Sequence, residues 1–277
     1  MTVFNADFVQ VQDNTYVFDL DLSLKSSRID GLGLESGGQL FRSLIAFIGR
    51  VALENPQAEF KVVIQNIRKG RKPKTGMRPQ HLASVDVVRI ILEHCKRNVT
   101  FFDDFCEDSK QLTIAFGISS DFEMRSMPLG IFNVGKINPK TKQPGEEAAT
   151  LVLQTWLMLT WDIPCFSKAV FGGGLDMGLS PSVEFLKNEL APVLGLSVDV
   201  ERGVRKTGTI TVEKASGMVV GPIASKYLLD QVLAFVALRG EKTTIRYSCE
   251  LSAHARSQIY LWEGLTGYKF DLIYTDT

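Results

Sequence analysis

Apolar positions along this chain recur with two periods, and the alternation between them sketches the elements. From Gln39 onward Leu40, Leu44, Phe47, Ile48 and Val51 fall at helical spacing, while Arg42, Ser43 and Arg50 take other faces, so a helix is predicted there. "FKVVIQNI" (60–67) is β-rich, and the basic stretch after it, with Gly and Pro, reads as a loop. Pro79 suits a first helical turn, and "PQHLASVDVVRIILEHC" continues as a helix. Glu146 and Glu147 begin a helix through "AATLVLQTWLML", their charges suited to its positive end.

"FGGGLDMGLSP" is a glycine-rich turn, with Ser180 and Pro181 as N-cap and first turn of the helix "SVEFLKNEL". Strands "LSVDVERG" and "GTITVEK" follow, then a helix from Pro222 to Leu238, strand "TTIRYSC", a helix after Ser252 and strand "GYKFDLIY". Residues 103–145 follow no clear period beyond the loop "INPKTKQPG". Three strand-and-helix units of similar size fit an α/β domain of repeated modules. No Gly/Ser- or Pro-rich linker divides the chain.

Composition changes this picture little. At 277 residues and 45% hydrophobic content the chain can bury a large core, and 31 basic against 31 acidic residues leave no overall field toward nucleic acid or membrane. Any polyanion must therefore be held by a local patch. Cys95, Cys106, Cys165 and Cys249 are widely spaced without a CxxC pair, which predicts free thiols. No run of 18 apolar residues occurs and the first residues carry no leader pattern, so an intracellular protein of nucleus or cytoplasm, away from membranes, is expected.

Candidate chemistry gathers in four places. In "RIDGLGLESGGQLFRS" (28–43), Gly37 and Gly38 allow backbone N–H groups close to an anion at a helix start, and Glu35 in the same turn suits a divalent cation bridging phosphates. A glycine turn capping a core helix has the same appearance. "NIRKGRKPKTGMRPQHL" (66–82) crowds six basic residues, Arg68, Lys69, Arg71, Lys72, Lys74 and Arg78, into one loop, where arginine forks suit phosphate oxygens; His81 equally suits a structural hydrogen bond.

In "ASKYLLDQVLAF", Tyr227, Asp230 and Gln231 sit at i, i+3 and i+4 on one helix face, an arrangement for stacking on a base and holding its edge. His254 follows Ser252 at a helix start, where the positive dipole end favours the neutral, nucleophilic imidazole.

Taken in order, these stretches resemble the RNA 3'-terminal phosphate cyclase family. "IDGLGLESGGQLFRS" is similar to its "IDGxxGEGGGQxxR", placing Glu35 on the metal- and nucleotide-binding glutamate and Arg42 on its arginine. "IRKGRKPKTGMRPQHL" is similar to "IRxxRxxPGLRxQHL", matching Arg68, Arg71, Gln80 and His81, with one extra residue before Gly76. "LVLQT" puts Gln154 on a nucleotide-site glutamine. "YLLDQ" resembles "HLADQ" or "YLADQ", making Tyr227 an adenine-stacking residue and Gln231 a phosphate-site partner beside Asp230. "SAHARSQ" resembles "SxHxxTN", whose histidine carries AMP covalently, at the position of His254.

The chain departs from the family at Leu175 and Gly178, where the pattern "GGTxxPxAPPxDYL" has a threonine and a proline. It departs again in "RGVRKTG" (202–208), which stands for "RGxxPxGGG", and at "VEKASG" (212–217), where typical members carry a small insert domain. Residues 95–146 are longer than usual and match poorly.

The resemblance implies an α/β fold of repeated units, two helices packed on a four-stranded sheet, in one domain of about three units over 1–277. It implies ATP-dependent conversion of an RNA 3'-phosphate end to a 2',3'-cyclic phosphate through a histidine–AMP intermediate, with ATP and Mg²⁺ or Mn²⁺ as cofactors and RNA as partner. His254, Arg42, Arg68 and Arg71 would be catalytic. Glu35, Gln154, Tyr227, Asp230 and Gln231 would bind nucleotide, and Gly37, Gly38, Lys72, Arg78, Gln80 and His81 would bind RNA or phosphate. The alternatives are a non-catalytic protein of RNA processing or ribosome assembly, a branch that typically lacks the glutamate and histidine, and an enolpyruvyl-transferase-like relative.

Overall fold

The computed structural model describes residues 9–12, 15–21, 38–68, 76–102, 106, 108–134, 147–178, 180–203, 207–214, 221–240 and 243–275. Its first unit runs β1 (Val9–Gln12), β2 (Thr15–Asp21), α1 (Gly38–Glu54), β3 (Phe60–Gln65), α2 (Pro79–His94), β4 (Val99–Phe101) and β5 (Leu112–Phe116). β2 pairs parallel with β3, and β3 and β4 each pair antiparallel with β5. Alternate residues decide which face is buried: Phe60, Val62 and Ile64 lie opposite Phe116, Ile114 and Leu112 and turn inward together. The Phe60 and Phe116 rings stack with centroids 4.4 Å apart.

The second unit repeats that path. It runs β6 (Gly130–Asn133), α3 (Ala149–Thr160), β7 (Lys168–Gly174), the broken helix α4 (Val183–Phe185), a π-turn (Leu186–Leu190) and α5 (Ala191–Leu194), then β8 (Leu196–Arg202) and β9 (Thr207–Lys214). Its strand order β6-β7-β9-β8 matches β2-β3-β5-β4, so the two sheets are topological copies, with β1 added to the edge of the first. In the third unit α6 (Lys226–Arg239), β10 (Thr244–Tyr247), α7 (Ala253–Thr266) and β11 (Asp271–Tyr274) follow, with β10 and β11 parallel and Ile223 bridging to Tyr247. The fold is α/β, as the resemblance implies; among the described residues the sheets hold five, four and two strands.

Helices occupy the middle. α1 packs on α2, α3 and α7, and α3 packs on α1, α2, α6 and the strands β7 and β9. Consequently α3 is buried on all sides, and α1 buries even Arg42 and Ser43, the polar face that periodicity turns away from its core stripe. An all-round buried helix in a multilayer protein needs no solvent face.

Two boundaries move. Ser182, not Ser180, caps α4, its Oγ accepting the Phe185 N–H at 3.1 Å, while the Ser180 hydroxyl donates to the Met177 carbonyl at 2.6 Å. α6 starts at Lys226 rather than Pro222, because Ser225 accepts the Leu228 N–H as N-cap and Ile223 is held by Tyr247's strand. Cys95, Cys106, Cys165 and Cys249 are free thiols. Residues 215–217 of "VEKASG" lie outside the described residues. No helix of the described residues is long and apolar enough to cross a membrane.

Candidate phosphate and nucleotide site

The N-terminal end of α1 is where the candidate residues meet. Gly38 opens the helix, and a Cβ there would collide with the His81 Nε2 and stand 2.8 Å from an Arg42 Nη1. Its missing side chain thus makes room for the side chains of two other elements, beyond the backbone approach that glycine at a helix start suggests. Phe41 holds the His81 ring edge-on, with centroids 5.5 Å apart.

Four donor atoms converge there. The Arg42 Nε, the Arg68 Nη1, the Arg78 Nη1 and the His81 Nε2 are each buried and make no hydrogen bond among the described residues. The His81 Nδ1 accepts the Arg78 backbone N–H at 2.8 Å, so the ring proton sits on Nε2 and makes it a donor. Burial, with Arg42, Arg68 and Arg78 around it, pushes His81 down to about 2, which keeps the ring neutral. Burial and then Arg68 bring Arg42 down to about 9, and burial with Arg78 lowers Arg68.

Repelling, desolvated donors at the positive end of a 17-residue helix are an unfavourable arrangement for an isolated protein. A tetrahedral dianion, with several acceptor oxygens, relieves it.

Backbone strain holds the arrangement. Asn66, Arg68 and Asp108 have positive φ (55°, 54° and 68°), as has Gly76 at 81°. The Gly76 N–H donates to the Ile67 carbonyl at 2.9 Å, closing the basic loop at its base. The Met77 N–H donates to Ser109 at 2.8 Å and the Asp108 N–H to Met77 at 2.9 Å, docking the β4–β5 turn beside it. The Asp108 carboxylate lies 3.6 Å from the Arg78 Nη1. That residue escapes sequence reasoning, since it lies in the unmatched segment and belongs to no motif.

On the other side of α1 stands the α6–α7 corner. The Gln39 side chain donates to the Asp230 carbonyl at 3.2 Å. Asp230, 3% exposed, accepts the Ser252 hydroxyl at 2.5 Å, and Ser252 in turn accepts the Ala255 N–H at 3.0 Å as N-cap of α7. Burial pushes the Asp230 carboxyl up to about 6, against the lowering by Ser252, Lys226 and the Ala255 N–H. Asp230 therefore fixes the start of α7, two residues from His254.

One turn further, the Gln258 Nε2 donates to the Ser43 hydroxyl of α1 at 3.1 Å and its Oε1 accepts the Trp262 Nε1–H at 2.5 Å, tying α7 to α1. Tyr227, 65% exposed, projects from the first turn of α6 beneath Lys226, whose Nζ is 5.4 Å from its ring centre. Gln231 is half-buried, His254 is half-buried in the first turn of α7, and Gln80 is half-buried in the first turn of α2. Gln154 is buried on α3.

Glu35, Gly37, Arg71 and Lys72 lie outside the described residues. Among the described residues no group of three His, Cys, Asp or Glu is placed to hold a metal ion. Leu175, which stands where the family pattern has threonine, is fully buried.

Comparison with known proteins follows the same line. Residues 34–272 match the family described as RTC: RNA 3'-terminal phosphate cyclase. A protein named RNA 3'-terminal phosphate cyclase from Pyrobaculum neutrophilum is 27% identical over 165 residues, 58% of this chain and 38% of its own length. One of the same name from Sulfolobus acidocaldarius is 28% identical over 176 residues, 62% of this chain and 44% of its own length. The match thus spans less than half of each relative. A solved EPSP synthase from Acinetobacter baumannii covers 72% of this chain and 38% of its own at 14% identity, with a TM-score of 0.34, too low to carry an argument. With the family's pattern running through all three units and ending beyond α7, the chain belongs to the RNA 3'-terminal phosphate cyclase family.

Proposed function

We propose that this protein is an ATP-dependent cyclase that closes RNA 3'-phosphate ends to 2',3'-cyclic phosphates. The observation that carries the reading is the convergence of the open donors of Arg42, Arg68, Arg78 and His81 on the start of α1, next to the corner that holds His254. Phosphate oxygens fit that set, and ATP supplies the activated phosphoryl bond.

The His254 imidazole attacks the α-phosphorus, forming the nitrogen–phosphorus bond as pyrophosphate leaves. AMP then passes to the RNA 3'-phosphate, and the adjacent 2'-hydroxyl attacks that activated phosphate and expels AMP. Arg42 and Arg68, with Arg71, neutralise phosphate charge as it moves; His81 donates from Nε2, Gln80, Arg78 and Gly38 line the phosphate path, and the family resemblance assigns Lys72 and Gly37 to phosphate as well. Tyr227 presents its exposed ring to the adenine, with Gln154 and Gln231 at the nucleotide. Glu35 is the residue proposed to hold Mg²⁺ or Mn²⁺. A single domain of about three units, without an insert at 212–217, is part of this proposal.

The test is incubation with α-labelled ATP and metal, followed by denaturation. Label should remain on the wild-type chain and be absent from His254→Asn; label surviving in that variant overturns the reading. One observation favours a second reading, a non-catalytic RNA-processing protein: Leu175 fills the interior where the pattern has a threonine hydroxyl. A wild-type chain that binds RNA but takes no label would establish it.

A further inference from the structure

We propose that Asp108 is a specificity-determining residue of the cationic pocket, a fixed counter-charge that reduces the pocket's preference for more highly charged anions. The inference rests on the pocket receiving phosphate. Its geometry is specific to this turn. Asp108 has φ 68°, in the left-handed region that glycine, asparagine and aspartate visit most readily. The Asp108 N–H donates to the Met77 carbonyl and the Met77 N–H to the Ser109 carbonyl, which fixes the backbone that carries the carboxylate, and Gly76 is held against the Asp108 carbonyl so closely that a Cβ on Gly76 would collide with it. The residue cannot drift away from the loop it faces.

The distance decides the role. At 3.6 Å, with Asp108 half exposed, the carboxylate attracts the Arg78 guanidinium but is beyond a hydrogen bond, and Nη1 keeps its hydrogen for another acceptor. Among the described residues this is the ion pair that moderates the charge of Arg42, Arg68 and Arg78. An incoming anion gains the open N–H of Arg78, as it does those of Arg42, Arg68 and His81, while Asp108 repels its charge. Repulsion scales with the anion's charge; the hydrogen bonds do not. Attraction to the three guanidinium groups also scales with that charge, so Asp108 subtracts most from the binding of a highly charged polyphosphate, pyrophosphate above all, and least from that of a singly esterified or free phosphate.

The experiment compares inorganic phosphate with inorganic pyrophosphate, by titration calorimetry on the whole chain at two salt concentrations. In Asp108→Asn, which keeps the shape and the tolerance for positive φ, pyrophosphate should bind about tenfold tighter and phosphate only about two- to threefold tighter, with a steeper salt dependence for both. Asp108→Gly, which also relieves the strain, should move the same ratio in the same direction, and it serves if the asparagine variant folds poorly.

Arg78→Ala in the wild-type background should weaken both anions. If it weakens neither, the phosphate pocket itself is wrong and the proposal falls with it. If it weakens both while the pyrophosphate-to-phosphate ratio stays unchanged in the Asp108 variants, the pocket stands and the role of Asp108 alone is overturned.

Discussion

The two ends of α1 each hold buried arginine, and the contrast between them separates structure from function. At the C-terminal end Arg97, 3% exposed, donates to the carbonyls of Ala52 (2.9 Å), Asn55 (3.2 Å), Ala58 (2.8 Å) and Gly117 and to the Ser119 hydroxyl (2.8 Å). Its charge faces the negative end of the helix, and it satisfies carbonyls that the last turn leaves open. At the N-terminal end Arg42, 4% exposed, faces the positive end, has Arg68 and His81 for neighbours, and leaves its Nε open. Burial lowers both guanidinium groups. One arginine completes the fold; the other leaves a donor open, which the proposed function fills with an anion.

The second unit extends the lesson. Its loop between β7 and α4 is the topological counterpart of the basic loop between β3 and α2, yet there Arg202 is paired with Asp176 at 2.5 Å and with Glu184 at 2.8 Å, on the surface. The same path of chain carries open donors in one unit and a surface cluster of one arginine and two carboxylates in the other, so what gathers there follows from side chains placed on the fold and not from the fold itself.

The largest effect should come from breaking the structural end. Arg97→Ala leaves several buried carbonyls without a donor, and each orphaned acceptor costs about 1–3 kcal/mol, so the variant should lose at least about 3 kcal/mol of stability in urea unfolding. A loss below about 1 kcal/mol would mean that the carbonyls find other partners.

The functional end should respond in the opposite sense. Arg42→Met removes a desolvated, repelled cation and keeps the stem's packing, so the anion-free protein should be as stable as wild type or more so. Pyrophosphate at a hundredfold excess over its wild-type Kd should stabilise wild type by about 2.7 kcal/mol and this variant by almost nothing, by thermal unfolding with and without the anion. An Arg42→Met protein destabilised as much as Arg97→Ala would erase the distinction between the two ends.

This contrast was only half legible in the sequence. The stretch opening at Gly38, the basic loop and His254 announce themselves because glycine, guanidinium density and helix starts are local signals. Arg97, in "CKRNVT", announces nothing, because its acceptors are backbone carbonyls that any residue supplies and that folding brings from Ala52 and Gly117. Asp108 is silent for the same reason: its meaning lies in a docked turn and one distance. Helical periodicity located α1 but put Arg42 and Ser43 off its core stripe, and packing against α2, α3 and α7 buries those faces as well. Ser252 is visible in the sequence as a helix start and Asp230 as one of a polar trio, but not as partners, because they belong to different helices.

That pair tests the same rule with a charge of the other sign. Asp230 sits at the positive end of α7, where a carboxylate is favoured, and accepts the Ser252 hydroxyl, yet burial outweighs both and raises it to about 6 from 3.8. A group raised in the folded state binds more protons there than in the unfolded chain, so between these two values stability falls as pH rises. Above pH 6 the full cost of the buried charge remains, about 3 kcal/mol for a rise of that size. Asp230→Asn keeps an oxygen for Ser252 and for the Ala255 N–H while removing the charge. It should flatten the stability profile between pH 4 and pH 6 and leave the variant more stable than wild type at neutral pH, with the cap of α7 intact by circular dichroism. If the variant is instead less stable at neutral pH, the negative charge itself is holding the helix start, and the positive end of α7 outweighs burial after all.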